Sequence, residues 1–275
     1  MLIGLNAPKH FVKNLSIHNN ERTHLMNKPM PSLIGHRGLP DLAPENTKSS
    51  VVTAAKHGIR WVEIDVTMAG DGSLVIMHDP DLRLFGQAET RLVDIGKSEL
   101  SSIDAGSWFD SNFTGEPLLF LPELLDLVIG HNLGLNLEIK INPDIDMSLQ
   151  VKAVYQCLSD FHITAENLLI SSFDMAALVE LRKLDQNIQI GALAQKIPDQ
   201  TPSELAFIAP VSIHCDQEHL TQEQAAQLKE QYPLYCYTVN SAEKFAQLLS
   251  WGVSGIFCDR AHAEDMIAVL THSSN

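Results

Sequence analysis

Trp61-Val62-Glu63-Ile64-Asp65-Val66-Thr67 reads as a strand with aliphatic residues on one face and acids on the other. Side chains alternate along a strand, so Val62, Ile64 and Val66 share one side and Glu63 and Asp65 the other. Asp71-Gly72 then gives a hairpin signal. It returns the chain through Leu74–Met77 to His78-Asp79, on a ribbon paired with that strand. Two further runs have the same texture: Leu33-Ile34-Gly35-His36-Arg37-Gly38, and Leu137-Glu138-Ile139-Lys140-Ile141, with Glu138 and Lys140 on one face. Burying charge in such segments costs several kcal/mol per ion unless something compensates.

Outward from these runs, the chain alternates between the two periodicities. Pro44-Glu45-Asn46-Thr47 opens a helix with apolar spacing at Val51, Val52, Ala54 and Ala55, and Gly58 stops it. Helical patterns follow at Leu121–His131, Ile145–Phe161, Met175–Leu184, Gln222–Gln231, Ala242–Trp251 and Ala263–His272, with a single turn at Pro202–Leu205. Strand patterns occupy Gly134–Ile141, Leu168–Phe173, Ile188–Ala194, Phe207–Cys215, Leu234–Val239 and Gly255–Asp259. Thr221-x-x-Gln224 and Asn240-x-x-Glu243 have capping-box spacing. Counted from Leu33, eight strands each precede a helix or helical turn. Eight βα units in about 250 residues is the rhythm of an α/β protein of the (β/α)8 TIM-barrel class. An open doubly wound sheet would alternate similarly, but no G-x-G-x-x-G follows the first strand.

Residues 80–118, rich in Gly, Asp, Ser and Thr, read as an insertion after the second strand, over the mouth of the fold, with one short helix at Lys97–Ile103. Trp108, Phe109 and Phe113 are expected to form its private core, or else a hydrophobic rim for a lipid substrate. Residues 1–31 lack periodicity and read as an N-terminal arm or upstream sequence; the barrel domain is expected over 32–275.

Composition narrows the function. The formal net charge is −15, from 19 Lys+Arg against 34 Asp+Glu, which argues against a nucleic-acid surface. No run of 18 apolar residues suggests a membrane span, so no stable membrane insertion is expected. No signal-peptide pattern opens the chain, and the expected address is cytoplasmic. Cys157, Cys215, Cys236 and Cys258 have no CxxC spacing and read as reduced, packed thiols.

In a barrel, strand C-termini share the face where active sites are built. Strands one, two and three would therefore bring three carboxylates, two histidines, Arg37 and Lys140 to one mouth. Three hard oxygen ligands suit Mg²⁺ or Ca²⁺ rather than zinc. Such a cation would neutralise a phosphoryl oxygen, with Arg37 and Lys140 on the others. His36 and His78 can divide the proton transfers.

The set His36-Arg37-Gly38, Pro44-Glu45-Asn46-Thr47, Glu63-Ile64-Asp65-Val66, Asp71-Gly72, His78-Asp79, Leu137-Glu138-Ile139-Lys140, Ser171-Ser172-Phe173 and Thr238-Val239-Asn240 resembles the glycerophosphodiester phosphodiesterase family, in size its bacterial cytoplasmic members. The resemblance runs from about Leu33 to Arg260. It implies a (β/α)8 barrel with an insertion after strand two and one divalent cation on Glu63, Asp65 and Glu138. It also implies His36 and His78 as the acid/base pair, and Arg37 and Lys140 on phosphate. The implied reaction is hydrolysis of a small-molecule glycerophosphodiester to sn-glycerol 3-phosphate and an alcohol. The alternatives are a lysophospholipase D-like enzyme on a bulkier lipid substrate and a non-catalytic phospho-ligand barrel.

Three stretches depart from the family pattern. Leu82-Arg83-Leu84-Phe85-Gly86 stands where the family carries Leu-x-Arg-Thr-Thr. Leu119-Phe120-Leu121 replaces Pro-Thr-Leu, and Tyr237-Thr238-Val239-Asn240 replaces Trp-Thr-Val-Asn. These bear on which alcohol is released, not on the class of reaction. Glu45 and Asn46 read either as helix caps or as support for Arg37 and His36. Phe173 and Tyr237 read as pocket walls or plain core. Asp79 and Asp259 serve as turn residues as readily as functional ones. His214 reads as structural, and His57, His131 and His162 as solvent-facing.

Overall fold

A computed structural model describes residues 30–161, 163–197 and 203–272. The strand read from Trp61 is β2 (Trp61–Met68), buried along its whole length. It pairs in parallel with β1 (Leu33–Gly35) on one side and β6 (Gly134–Ile139) on the other. From β6 the sheet continues in parallel through β7 (Leu168–Ser172), β8 (Ile190–Ala194), β9 (Ser212–Asp216), β10 (Leu234–Tyr237) and β11 (Gly255–Cys258). β11 pairs back onto β1, Leu33 opposite Ile256, and closes an eight-stranded (β/α)8 barrel. β3 (Leu74–Ile76) runs antiparallel to β2, so the Asp71-Gly72 hairpin forms as its turn chemistry requires.

The outer face of β2 makes the main core. Val62, Ile64 and Val66 are fully buried with Val51 and Ala54 of α1 (Lys48–Lys56). Each such side chain contributes about 1.5–3 kcal/mol relative to exposure. Other helices of this layer are α3 (Leu121–Gly130), α4 (Met147–Ser159), α5 (Met175–Leu184), α6 (Ser203–Ile208), α7 (Gln222–Leu228), α8 (Ala242–Trp251) and α9 (Glu264–His272). A second cluster fills the barrel's floor: Met30, Ile34, Trp61, Leu169, Tyr235 and Phe257. The Tyr235 hydroxyl donates to the Met30 carbonyl at 2.8 Å, so residue 30, assigned to the arm by sequence, belongs to the barrel floor.

Several boundaries differ from the sequence reading. Phe207–Cys215 is not one strand. Leu205 and Ile208 lie three apart on the buried face of α6, Ala209 turns the chain with φ +43°, and β9 begins only at Ser212. The opening of α1 also shifts. Thr47 is its N-cap, accepting from the Ser50 amide at 3.2 Å, and Asn46 lies outside the helix at φ +57°. At α8 the cap is Ser241, which accepts from the Lys244 amide, and not Asn240. The Thr221–Gln224 capping box is present in both directions.

The insertion holds the β4–β5 ribbon (Asp81–Leu82 and Gln87–Arg91) and the short α2 (Lys97–Leu100). Its private core is aliphatic, contrary to the expectation from its aromatics. Leu82, Leu92, Leu100, Ala105 and Leu118 pack on Val75, Met77 and Phe120. Trp108, Phe109 and Phe113 instead stack edge-to-face on one another, with Trp108 exposed and its indole N–H donating to the Ala105 carbonyl. Glu116 ties the insertion to α1, accepting from the Ser49 amide and hydroxyl at 2.9 and 2.8 Å. Among the described residues no helix is long and apolar enough to cross a membrane. Cys215, Cys236 and Cys258 are buried free thiols. His57 and His131 are exposed; His162 lies outside the described residues.

Candidate active site

The inner face of β2 sends Glu63 and Asp65 toward the C-terminal mouth, beside Glu138 of β6, which stands opposite Asp65 in register. One carboxylate oxygen from each of the three lies within 4.8 Å of the others. They line a cavity of about 220 Å³ with His36, Arg37, His78, Lys140, Phe173 and Tyr237. All three acids are buried.

Each acid is held differently. Asp65 accepts from the Asn46 carboxamide at 2.9 Å, and its own amide donates back to Asn46 at 3.2 Å. The left-handed backbone of Asn46 makes this two-way clasp possible, a conformation that costs a non-glycine residue about 1–3 kcal/mol. Glu63 accepts from the Arg37 amide at 3.0 Å, and its other oxygen is buried without a partner. Glu138 accepts from Lys140 at 2.8 Å. Arg37 also has a positive φ, +49°, while Gly38 beside it sits at +90°, where a Cβ would collide with Ser50.

Electrostatics follow from burial. Burial first, then the charges of Asp65 and Glu138, pushes the Glu63 carboxyl well above its ordinary range. Burial and Asp65 push Glu138 up to about 7 against the pull of Lys140. Burial also acts on Asp65, but Arg37, Lys140, His78 and the Asn46 amide outweigh it and hold Asp65 below its ordinary value. Three acids therefore share this space with two cations, Arg37 and Lys140. Arg37 pairs with Glu45 at 2.5 Å and lies 3.4 Å from Asp65; Lys140 lies 3.9 Å from Asp65. The ion pairs do not close into a filled network: the cavity remains, and an orphaned Glu63 oxygen is left over. Hard oxygen donors at this spacing fit a divalent Mg²⁺- or Ca²⁺-type ion.

The two histidines share one arrangement. His36 Nδ1 lies 2.6 Å from Asp259 Oδ1, and His78 Nδ1 lies 2.7 Å from Asp79 Oδ1. A carboxylate only accepts, so Nδ1 carries the proton and Nε2 is left for the cavity. His36 Nε2 stands 3.9 Å from Glu63. Asp259 is itself held by Asn240, whose carboxamide donates to its carboxylate at 2.6 Å and accepts from its amide at 2.9 Å. Burial raises Asp259, but its hydrogen bond and charge interaction with His36, then Asn240 and Arg37, bring it below its ordinary value.

Sequence reasoning left Asp259 undecided and misassigned Asn240 as a cap. The signal was weak because Asp259 lies 223 residues from His36 and meets it only through barrel closure. His78-Asp79, by contrast, is an adjacent pair. Glu45 supports Arg37, and Asn46 supports Asp65; neither caps α1. Phe173 stacks edge-to-face on Tyr237 at 5.7 Å and carries Lys140 above its ring at 5.4 Å, so both aromatics are pocket wall. His214 is fully buried under the cavity, packed on Tyr235 and Phe257 with Nε2 2.9 Å from Ser212 Oγ. Burial drives its pKa down to about 3, which keeps it neutral.

The structure is a (β/α)8 barrel with a buried carboxylate triad, two carboxylate-anchored histidines and two cations at its mouth, the build of a barrel enzyme site. Residues 36–263 match the model of the glycerophosphoryl diester phosphodiesterase family, and the chain belongs to that family. A glycerophosphodiester phosphodiesterase of Bacillus subtilis is 28% identical over 241 residues, covering 82% of each chain. One from Caldanaerobacter subterraneus is 28% identical over 229 residues, covering 82% of this chain and 93% of its own. Among solved structures, an Oleispira antarctica phosphodiesterase in complex with the product sn-glycerol-3-phosphate superposes with a TM-score of 0.82. It is 29% identical, covering 88% of this chain and 97% of that one. The chain is an enzyme of the glycerophosphodiester phosphodiesterase type.

Proposed function

We propose that residues 30–272 belong to one catalytic barrel unit that hydrolyses a glycerophosphodiester to sn-glycerol 3-phosphate and an alcohol. The observation that carries this is the pair His36–Asp259 and His78–Asp79, both bordering the cavity that holds the acid triad. The product named for the Oleispira relative supports the same substrate class.

Glu63, Asp65 and Glu138 would hold one divalent cation, Mg²⁺ or Ca²⁺, a fit favoured by their spacing and by the unpartnered Glu63 oxygen. The chemistry such an ion supplies when bound is neutralisation of charge on a phosphoryl oxygen. Arg37 and Lys140 offer N–H donors to the remaining phosphoryl oxygens, the first as a planar fork and the second as a point charge. Glu45 and Phe173 keep those two cations over the cavity. A bond forms between the attacking oxygen and phosphorus, and the bond from phosphorus to the alcohol oxygen breaks. One histidine, neutral, takes the proton of the attacking oxygen at Nε2; the other enters as the imidazolium, with Nδ1–H still on its carboxylate, and gives its Nε2 proton to the departing oxygen, so the two exchange protonation states over the step. An alkoxide leaves poorly at neutral pH, so the proton donor carries much of the rate.

The test is turnover of glycerophosphocholine with Mg²⁺ or Ca²⁺ present. His36→Ala and His78→Ala should each lower kcat on the order of 100- to 10,000-fold. Near wild-type turnover in either variant would sink the assignment.

A further inference from the structure

A second cavity, of about 210 Å³, opens on the other side of Arg37 and His78, which also line the cavity of the acid triad. Its polar wall is Glu45, Asn46, Thr47 and Asp79, together with the two shared residues. Its opposite wall is hydrocarbon: Ile76 and Met77 from the ribbon beside β2, then Leu84, Phe85, Ala105 and Leu118 from the insertion. Leu84 and Phe85 sit on a single helical turn, Arg83–Phe85, and Arg83 is fastened to Asp81 through two hydrogen bonds. In the family pattern Leu84 falls on the arginine and Phe85 on the first threonine.

The two cavities suit different halves of a diester. Beneath the acids, the first is lined by Asn136 and His214, and Asn136 Oδ1 and His214 Nδ1 are buried without partners. Such atoms suit the hydroxyls of a glycerol. The hydrocarbon wall of the second, which includes Leu84 and Phe85, offers an alkyl group an apolar surface that the hydroxyls of a polyol would not use. A phosphorus held at the shared edge, against Arg37 and His78, would put one ester arm in each.

Resting on the proposed phosphodiesterase reading, we propose that the cavity between Ile76–Met77 and Leu84–Phe85 receives the departing alcohol and selects alcohols carrying a short alkyl segment. Its volume suits a short chain and not a full acyl chain. Each methylene drawn from water into such a wall should raise kcat/KM about threefold to fourfold until the cavity is filled.

The experiment measures kcat/KM for glycerophospho-methanol, -butanol, -hexanol and -octanol with saturating Mg²⁺, alongside glycerophosphoglycerol. Wild type should climb steeply from methanol to hexanol and then level off. Leu84→Ser and Phe85→Ser, checked for folding by circular dichroism and melting, should flatten the climb by lowering hexanol more than methanol. A flat wild-type series with glycerophosphoglycerol turned over would overturn the alkyl pocket and leave the reaction class standing. Variants that slow every substrate equally would also overturn it, by making the two residues merely structural. Failure to cleave any diester would overturn the catalytic reading beneath it, and the pocket with it.

Discussion

The carboxylate behind each histidine decides what the imidazole can do. Asp259 fixes the His36 tautomer through a 2.6 Å contact, and Asn240 fixes Asp259. Asp259→Asn keeps the size of the side chain but lets its amide donate toward Nδ1, so the proton moves to Nε2 and the wrong tautomer faces the cavity. The expected result is a fall in kcat on the order of 100-fold or more with KM little changed. Unchanged kcat would show that His36 does not depend on this contact. Glu138 and Glu63 give a second residue-scale expectation. Glu138 has a folded value near 7 against an ordinary 4.5. An acid raised in this way contributes stability that is present below about pH 4.5 and is lost as pH climbs through about 7. Glu63 shifts the same way. Asp65 and Asp259 are shifted down, so their contributions change only at more acidic pH. Melting temperature in chelator should therefore drop between about pH 5 and 7.5, and Mg²⁺ or Ca²⁺ should reverse that drop by binding the ionised acids. A melting temperature in chelator that stays level over this window would contradict the assignment.

Elements differ in how openly the sequence announces them. β2 was legible because a two-residue period sorts Glu63 and Asp65 from Val62, Ile64 and Val66 without ambiguity. α6 was not, because its six residues offer only Leu205 and Ile208 as buried positions, too few for a helical period to stand out. The insertion misled in another way: its aromatics drew attention, while its core is built from scattered aliphatic residues that no period links. That core makes a test. Leu92 is fully buried among Leu82 and Leu100. Leu92→Ala should cost about 2–5 kcal/mol in urea unfolding. It should also reduce turnover, since His78-Asp79 leads directly into this segment. Turnover at wild-type level despite the lost stability would mean the insertion does not position His78.

For the whole molecule, charge sets the approach of substrate. A net charge of −15 surrounds a mouth whose Arg37 and Lys140 are already paired with acids. An anionic diester is repelled at long range, and salt shortens the reach of that repulsion. Raising ionic strength from about 20 to about 200 mM should raise kcat/KM for the anionic glycerophosphoglycerol and change it less for the zwitterionic glycerophosphocholine. A decrease would show that the local field at the mouth is attractive and dominates. Here too the sequence carried part of the answer: it gave the total charge and the residues of the mouth. It set Glu138 and Lys140 on one face of a strand, where they do pair, but left Glu45 between a helix cap and a support for Arg37, because that contact depends on backbone turns at Arg37 and Asn46 that residue spacing does not encode.

Barrel closure has an outcome in time. Protein synthesis makes His36 early and Asp259 late, 223 residues apart, and the His36 amide reaches the Cys258 carbonyl only when β11 docks on β1. Without β11 the His36 imidazole and amide would lack the Asp259 and Cys258 partners that hold them. Among the described residues β11 is the last strand, so His36 acquires its carboxylate only as the barrel closes.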